Sequence, residues 1–502
     1  MIHDWMLGFT NLLGYQELLF LALGIGIGLF VGVLPGIGGT TALVLLMPLT
    51  FSLEPNQALA LAGGIMGAGP MGGAVTAILL NTPGTTASAV TCLDGFPLAQ
   101  QGKAGLAIGA AASSNALGGL IGAISVLAVI PLAGRMIFWF GPPEFFFLAV
   151  LGLVLVASTT RGNTFRALIS ACAGVAVGTI GFNEVAGFAR YTFGNDYLWD
   201  GVKISAALIG IFAIAEMAHL MIKGGTVANA EAPKRITGVA DGLLESLRNW
   251  GTLLRGSLIG TFIGAIPGTG GTVASFLSYG MTVQADKHPE SFGKGNIKGV
   301  IATEAAINAK DGSMLIPTLA FGIPGTPEMA VFMNLLILHG LQPGPLMLLR
   351  HQVQIYSVIW SITAACLIAS LIGLFLARPL ARLARVDVNI LAPIIIAAGF
   401  IGAYALDMDL GDVAVTAVFS VIGYLMIRFG YPRISFVVAG VLGAIAERSF
   451  QQTLMMGNGS AALVFGRPAC LIIIAIILAT LFLPMLRNRM ARNVPRPLQP
   501  SR

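Results

Sequence analysis

The sequence predicts an all-α polytopic membrane protein of about twelve transmembrane segments, in two inverted repeats with broken or re-entrant helices. Three observations predict this fold: the apolar composition, a repeated Pro-Gly motif, and the placement of basic residues. Of the 502 residues, 56% are hydrophobic and only 10% are charged, against about 25% charged in a soluble domain. Apolar runs such as 361–377 and 469–486 are long enough to cross a bilayer, and similar runs recur along the chain.

The repeated motif is a short segment rich in proline and glycine. GLFVGVLPGIGGT at 28–40 and GTFIGAIPGTGGT at 260–272 are identical at 8 of 13 positions. Their prolines, Pro35 and Pro267, are 267 − 35 = 232 residues apart, close to half the chain. A spacing of that size indicates an internal duplication.

A second pair of motifs follows in the same order. LLNTPGTTASAV at 79–90 resembles AFGIPGTPEMAV at 320–331, with the Pro-Gly-Thr triplets in register. Two matched pairs in one order favour a duplicated sequence over coincidence. We call 35–40 and 267–272 the two knots, and 81–86 and 322–326 the two PGT loops.

Charge predicts how the two halves sit in the membrane, because cytoplasmic loops are rich in Lys and Arg. The tail 487–502 has five arginines and no acid, so it is expected in the cytoplasm with the segment 223–255 and the loop around Lys103. The loop with Asp407, Asp409 and Asp412 has no base and is expected outside, as are the loop with Asp196 and Asp200 and the base-free N-terminus. Equivalent spans, such as 143–159 and 166–182 against 388–406 and 411–427, then run in opposite directions, so the duplication is inverted.

The predicted organisation has four parts. Residues 1–222 form an N-terminal transmembrane repeat, and 223–255 form a cytoplasmic connecting segment. Residues 256–486 form the C-terminal repeat plus one closing span, and 487–502 form a basic cytoplasmic tail.

The knots are candidate binding sites. Proline removes a backbone donor and glycine tolerates positive φ, so each knot should break a helix. The helix that starts after the break would offer free N–H groups and a positive dipole end to a carboxylate or phosphate. Close helix packing is the alternative reason for 65 glycines, but matched breaks in an inverted repeat favour a site. The residues are Pro35, Gly36, Gly38, Gly39, Thr40, Pro267, Gly268, Gly270, Gly271 and Thr272.

The PGT loops add side-chain oxygens and freed carbonyls, which suit Na⁺ or a carboxylate. A Na⁺ site is predicted near Asn81 and Thr326. Ordinary turn chemistry is the alternative, because Asn, Thr, Pro and Gly are common turn residues. The candidate residues are Asn81, Thr82, Pro83, Gly84, Thr85, Thr86, Pro324, Gly325 and Thr326.

A third candidate is the segment EAAINAKDGS at 304–313. Glu304, Asn308 and Asp311 share one helical face, and an acid in a membrane helix suggests an ion or proton path. The alternatives are that Glu304 lies in a solvated helix end and that Lys310 simply pairs with Asp311. Glu304 and Asn308 are placed in the predicted site.

Other features carry structural expectations. Glu216 and His219 are expected to form an interfacial pair, and the four cysteines to be small buried hydrophobes. GAGPMG at 67–72 matches a dinucleotide-binding pattern, but it lies in an apolar helical run with no preceding strand. The sequence has no catalytic motif, so no enzyme activity is expected.

Five stretches together resemble the TctA family, the large membrane subunit of tripartite tricarboxylate transporters. They are VGVLPGIGGTTA, AILLNTPGTTASAVTCLDGFPLAQQGKAG, IGAIPGTGGTVASFLSYG, FGKGNIKGVIATEAAINA and LAFGIPGTPEMAVFMNLLILHGLQPGPLM. They occur in family order and the likeness covers nearly the whole chain.

The resemblance implies a bacterial inner-membrane protein that takes up citrate or other carboxylates by secondary transport coupled to Na⁺ or H⁺, with no other cofactor. It also implies two partners, a small four-span TctB-like membrane subunit and a periplasmic TctC-like solute-binding protein. The residues leave a stand-alone permease or a channel open as alternatives.

One departure from the family pattern is visible. The family segment usually reads like EAANNA followed by small residues, whereas here Ile307 replaces an amide and Lys310–Asp311 replace small residues. Lys310 could reach a substrate carboxylate as a point charge.

Overall fold

The computed structural model describes residues 2–34, 37–136, 140–159, 164–183, 187–223, 236–268, 270–383, 388–460 and 462–492. Pro35 and Gly36 of the first knot lie outside these residues. So do 224–235 of the predicted connecting segment and 493–502 of the predicted tail.

The described chain is almost entirely helical. Its α-helices are α1 Ile2–Leu12, α2 Tyr15–Val33, α3 Gly38–Thr50, α4 Pro55–Leu80, α5 Thr91–Gln100, α6 Ala104–Met136, α7 Pro142–Thr159, α8 Thr164–Gly178, α9 Ile204–Leu208, α10 Ala215–Lys223, α11 Val239–Arg248, α12 Trp250–Gly264, α13 Gly270–Ala285, α14 Ile297–Ser313, α15 Pro327–Leu338, α16 Pro345–Arg350, α17 Gln352–Leu383, α18 Val388–Asp407, α19 Leu410–Phe429, α20 Arg433–Met456, α21 Ala462–Phe465 and α22 Pro468–Arg492. Short 3₁₀ turns lie at Ala87–Ala89, Asp196–Asp200 and Pro289–Ser291, and π-helical turns at Ile209–Ile214 and Ile316–Ala320.

The described residues contain eight helices long and apolar enough to cross a membrane: Tyr15–Val33, Pro55–Leu80, Ala104–Pro131, Ile204–Lys223, Gln352–Leu383, Val388–Asp407, Leu410–Phe429 and Arg433–Met456. Five shorter apolar helices accompany them, among them Gly38–Thr50, which begins at the first knot. The chain is therefore a multi-pass helical membrane protein. The predicted spans 143–159, 166–182 and 469–486 fall on shorter apolar helices, so a count of twelve remains a prediction.

One element departs from the all-α prediction. β1, Gly181–Asn183, pairs antiparallel with β2, Phe188–Arg190, with Gly181 opposite Arg190. The run expected to span 166–182 is therefore wrong at its end, because α8 stops at Gly178. Gly181 has φ +116°, a conformation that a side chain disfavours and that cannot continue a helix.

The chain divides into two compact units, and each draws on both halves of the sequence. One unit contains Met1–Ile137 and Val202–Arg433; the other contains Phe138–Gly201 and Ile434–Arg502. In the second unit the Arg190 guanidinium of β2 donates to the Glu447 carboxylate of α20, with Nη2 2.8 Å from Oε2.

The first unit is built around two wholly buried helices, one from each half of the sequence. In α4 every residue from Gln57 to Leu80 is buried, and in α14 every residue from Gly299 to Ser313 is buried. α2 packs along α4, and α12 packs along α14. Each knot follows the helix that lies against a buried helix.

Glycines allow this close packing. Gly24, Gly28 and Gly32 of α2 lie against the α4 backbone, and a Cβ on Gly32 would overlap the carbonyl oxygen of Gly69. Exactly 232 residues later in each case, α12 presents glycines to the α14 backbone; these are Gly256, Gly260 and Gly264. Small residues every fourth position let membrane helices approach closely. Two of the eight identities between the knot stretches, Gly28/Gly260 and Gly32/Gly264, are therefore explained by packing.

The Glu216 carboxylate pairs with the Arg433 guanidinium at 2.6 Å, and Arg433 also donates to the carbonyl of Ile211 at 3.0 Å. The expectation of four buried cysteines is corrected. Cys366 and Cys470 are buried and Cys92 is half-buried, but Cys172 is exposed.

We expect Gly32→Ala to destabilise the protein, because its methyl group would force α2 away from α4. Overpacking of this kind costs about 1–3 kcal/mol. Gly26→Ala on the same helix is the matched control, since its Cβ meets no atom within 4 Å. Thermal unfolding of the detergent-purified variants measures the difference, and equal midpoints would contradict the packing assignment.

Candidate functional site

The two helix interruptions fall at the two knots. α2 ends at Val33 and α3 begins at Gly38; α12 ends at Gly264 and α13 begins at Gly270. The first glycines of the new helices have matching left-handed conformations, with φ +62° at Gly38 and φ +65° at Gly270. A Cβ at either glycine would meet nothing within 4 Å. Both helices thus start at a glycine with a left-handed φ, beside open space.

Each PGT loop closes on its own half of the sequence. In the first, a Cβ on Gly84 would overlap the carbonyl oxygen of Gly32 at the end of α2. In the second, a Cβ on Gly325 would lie 3.6 Å from the Cα of Pro267 and 3.5 Å from the amide nitrogen of Gly268. The second PGT loop thus lies against its knot, whereas the first lies against the end of α2 just before its knot.

The helices that follow the knots then cross to the opposite half. α13 packs on the 3₁₀ turn Ala87–Ala89 that follows the first PGT loop, and the Thr272 hydroxyl lies 3.2 Å from that of Thr86. In the matching contact, α3 packs on α15, which follows the second PGT loop. Motifs from both halves therefore line each of two neighbouring places, one at the start of α3 and one at the start of α13.

The hydroxyl groups of the PGT loops serve mainly local structure. The Thr82 hydroxyl donates to the carbonyl of Leu80 at 3.0 Å, and the Thr85 hydroxyl lies 2.7 Å from that of Ser88. Thr326 is buried and accepts from the amide of Met329 at 3.2 Å, which caps α15. Turn and cap chemistry accounts for these three side chains.

Asn81 ends α4 in a left-handed conformation, with φ 52°, and it is exposed, whereas Thr326 is buried in the other loop. The Na⁺ site near these two residues stays a prediction. Pro324 and Gly325 are buried, while Pro83, Pro267 and Gly268 are half-buried.

Three charged side chains lie near the start of α3 and the start of α13. Lys310 and Asp311 form a buried ion pair near the end of α14, with relative exposures of only 6% and 7%. Glu328, at the start of α15, lies close enough to both for their charges to interact. We call Lys310, Asp311 and Glu328 the charged trio.

The two helix starts lie next to different members of the charged trio. A Cβ on Gly271, in the first turn of α13, would lie 3.2 Å from the Lys310 ammonium nitrogen. A Cβ on Gly39, in the first turn of α3, would overlap a carboxylate oxygen of Glu328. A lysine therefore lies at the second knot, and a carboxylate of the protein itself lies at the positive helix end of the first.

Sequence reasoning did not place Glu328 or Lys310 among the site residues. The available signal was an acid directly after the PGTP motif, at the start of a helix. For Lys310, the signal was its departure from the family pattern. Neither signal shows that the two residues approach each other across 18 positions of sequence.

Glu304 is fully buried, which excludes the interpretation that it lies in a solvated helix end. Its Oε1 accepts a hydrogen bond from the Thr91 hydroxyl of α5. The lysine nearer the start of α14, Lys298, binds the Asp286 carboxylate at 2.6 Å and thereby lowers the pKa of Asp286.

Asn308, one turn after Glu304, connects three helices. Its amide donates to Asn115 Oδ1 of α6 and to the carbonyl of Glu304 at 3.1 Å, and its Oδ1 accepts from Cys366 Sγ of α17 at 3.3 Å. A cavity of about 10 Å³ beside it is lined in part by Asp311 and Thr363, close to the smallest volume that can hold one water. In this structure Asn308 therefore joins helices of the site.

A model of the family "Tripartite tricarboxylate transporter TctA family" matches residues 18–438. The chain belongs to the TctA family. Over 497 residues it is 32% identical to the "Uncharacterized 52.8 kDa protein in TAR-I ttuC' 3'region" of Agrobacterium vitis, covering 97% of this chain and 98% of the relative. Over 239 residues it is 30% identical to the "Uncharacterized protein in TAR-II ttuC' 3'region" of the same organism, covering 46% of this chain and 96% of the relative. No solved structure matches the chain.

Membership confirms the family that the motifs predicted. It makes the chain a membrane component of the tricarboxylate-transporter class. All of the motif pairs and the charged trio lie within the matched residues.

We expect Lys310→Met to destabilise the protein by about 3–5 kcal/mol, because it leaves the Asp311 carboxylate buried without its cation. The double variant Lys310→Met with Asp311→Leu should recover most of that loss, since it removes both charges. Thermal unfolding of the two variants and the parent provides the measurement. A double variant no more stable than Lys310→Met would show that the ion pair is not the cause.

Proposed function

We propose that this TctA-family chain carries out secondary active uptake of citrate-like di- or tricarboxylates across the bacterial inner membrane. A cation gradient drives the uptake, a TctC-like periplasmic binding protein delivers the substrate, and a small TctB-like membrane subunit completes the complex. The observation that carries this proposal is the Lys310 ammonium beside Gly271 at the start of α13.

The start of α13 is suited to an anion. A helix N-terminus carries a partial positive charge, and Lys310 adds a full one close by. An ammonium group has three donors, and the ion pair with Asp311 occupies one of them. The N–H groups of the first turn supply further donors to a carboxylate, as does the Thr86 hydroxyl, which accepts from the Thr272 hydroxyl.

The start of α3 already holds the Glu328 carboxylate. We therefore assign the substrate carboxylate to the α13 start, and assign to Glu328 the role of filling the equivalent position at α3. A protein carboxylate bound in one of two matched places indicates which kind of group these places accept.

Loop contacts support the inverted topology. The Lys203 ammonium pairs with the Asp407 and Asp412 carboxylates, which joins two loops that the charge pattern places outside. The Gln101 amide donates to the carbonyl of Lys294 at 2.7 Å. This contact joins the loop with Lys103, which the charge pattern places in the cytoplasm, to a second lysine-containing loop. The N-terminus is then periplasmic and the C-terminus cytoplasmic.

Uptake of radiolabelled citrate tests the function. Right-side-out vesicles that contain the chain and its small subunit should accumulate citrate only when the binding protein and a cation gradient are present. Accumulation without the binding protein would identify a stand-alone permease. Flux that neither saturates nor responds to an ion gradient would identify a channel.

We expect Gly270→Leu to abolish citrate uptake while the protein still inserts. A side chain at φ +65° is strained by about 1–3 kcal/mol, and it would enter the open space where we place the substrate. Gly280→Leu in the same helix is the control, because its Cβ also meets nothing within 4 Å and its φ is helical. Normal uptake by Gly270→Leu would refute the assignment of this position.

A further inference from the structure

The carboxyl group of Glu304 is a buried acidic group that we have not assigned to binding of the substrate carboxylate. Its side chain is fully buried in α14. Oε1 accepts from the Thr91 hydroxyl, whereas Oε2 is buried and has no hydrogen-bond partner among the described residues. A buried carboxylate oxygen without a partner is costly, and a buried charge without a counter-ion costs more.

No cation of the described structure pairs with this carboxyl group. The lysines on the same helix are engaged elsewhere, Lys298 with Asp286 and Lys310 with Asp311. The titratable side chain that faces Glu304 from a neighbouring helix is Cys92, next to Thr91 in α5. Charge at Glu304 is therefore not compensated by the groups around it.

Two ligands could neutralise the carboxyl group, a proton or a hard metal cation such as Na⁺. A hard cation takes about six oxygen ligands. Among the described side chains, the Thr91 hydroxyl is the group that hydrogen-bonds the Glu304 carboxyl group. One hydroxyl and one carboxyl group supply too few oxygen ligands to complete the coordination shell of a cation. A proton needs only Oε2.

We propose that Glu304 carries the coupling proton of transport, bound at Oε2 in the conformation described here. The proposal rests on the proposed function and specifies its driving ion. An O–H bond forms at Oε2 when Glu304 is open to the side with the higher proton concentration. The bond breaks when the carboxyl group opens to the other side, and the proton passes to water.

The position of Glu304 explains how its proton affects the substrate site. Asn308 and Asp311 continue the face of α14 that begins at Glu304, and Lys310 at the α13 start neighbours them in sequence. An uncharged Glu304 can stay buried, without contact with water, where α14 packs against α5. An ionised Glu304 requires water, so α14 takes up its packed position only with the proton bound.

Infrared spectroscopy of the purified full-length chain tests the proton directly and needs no transport. The difference between the parent and Glu304→Gln at pH 7 should contain the C=O stretch of a protonated carboxylic acid. Glu290→Gln is the matched control, because the Glu290 side chain is 69% exposed and should contribute only a carboxylate band. A carboxylate band for Glu304 would overturn the proposal.

Transport assays then test coupling. In vesicles with the small subunit and binding protein, Glu304→Gln should exchange labelled for unlabelled citrate at a rate within about threefold of the parent. It should lose accumulation driven by an imposed pH gradient, because glutamine cannot release a proton. Accumulation by the parent that follows a Na⁺ gradient and ignores the pH gradient would overturn the proposal, as would pH-driven accumulation by Glu304→Gln.

If Glu304→Gln does not assemble, Glu304→Asp keeps a titratable group. It should shift the acid band and retain pH-driven accumulation, and an unchanged band would count against the assignment. A parent that moves no citrate refutes the proposed function alone, because the infrared result stands independently of it.

Discussion

The fold of the first unit depends on backbone-to-backbone packing of two glycine-bearing helices on two wholly buried ones. α4 and α14 have no exposed face along most of their length. α2 and α12 can approach them only where glycine replaces a side chain. This close approach holds the last turns of α2 and α12 against the buried helices, just before each knot. Irregular backbone is tolerated at membrane depth only under such burial.

The same packing accounts for the two roles of the repeated glycines. Upstream of each proline, the glycines are spaced by four and allow helix contact. Downstream, Gly38 and Gly270 adopt positive φ and begin a new helix beside open space. One short motif thus combines a packing element and a helix start, which explains why the two stretches are so similar over 13 residues.

The two halves of the sequence differ in the charged side chain that lies at each helix start. The geometry of the knots is matched, but Lys310 lies at the start of α13 and Glu328 at the start of α3. The buried charges of Lys310 and Asp311 are tolerated because they compensate each other. Glu304 has no such compensation among the described residues, and this difference underlies the separate roles that we propose for Lys310 and Glu304.

Much of the site was visible in the sequence. Apolar composition and the paired motifs determined a multi-pass helical protein of the TctA family, the helix breaks at both knots, and the duplication of the motifs. These properties are local, because proline and glycine restrict or free the backbone wherever they occur.

Only the tertiary structure decided which groups meet at those breaks. Glu328 lies on Gly39, 289 positions away in the chain, and Thr91 lies on Glu304. It also showed that the hydroxyls of Thr82, Thr85 and Thr326 serve turns and caps, and that Glu304 is buried. The physical reason is that burial and pairing depend on which helices pack together. Sequence periodicity marks the faces of a helix but does not specify its neighbours.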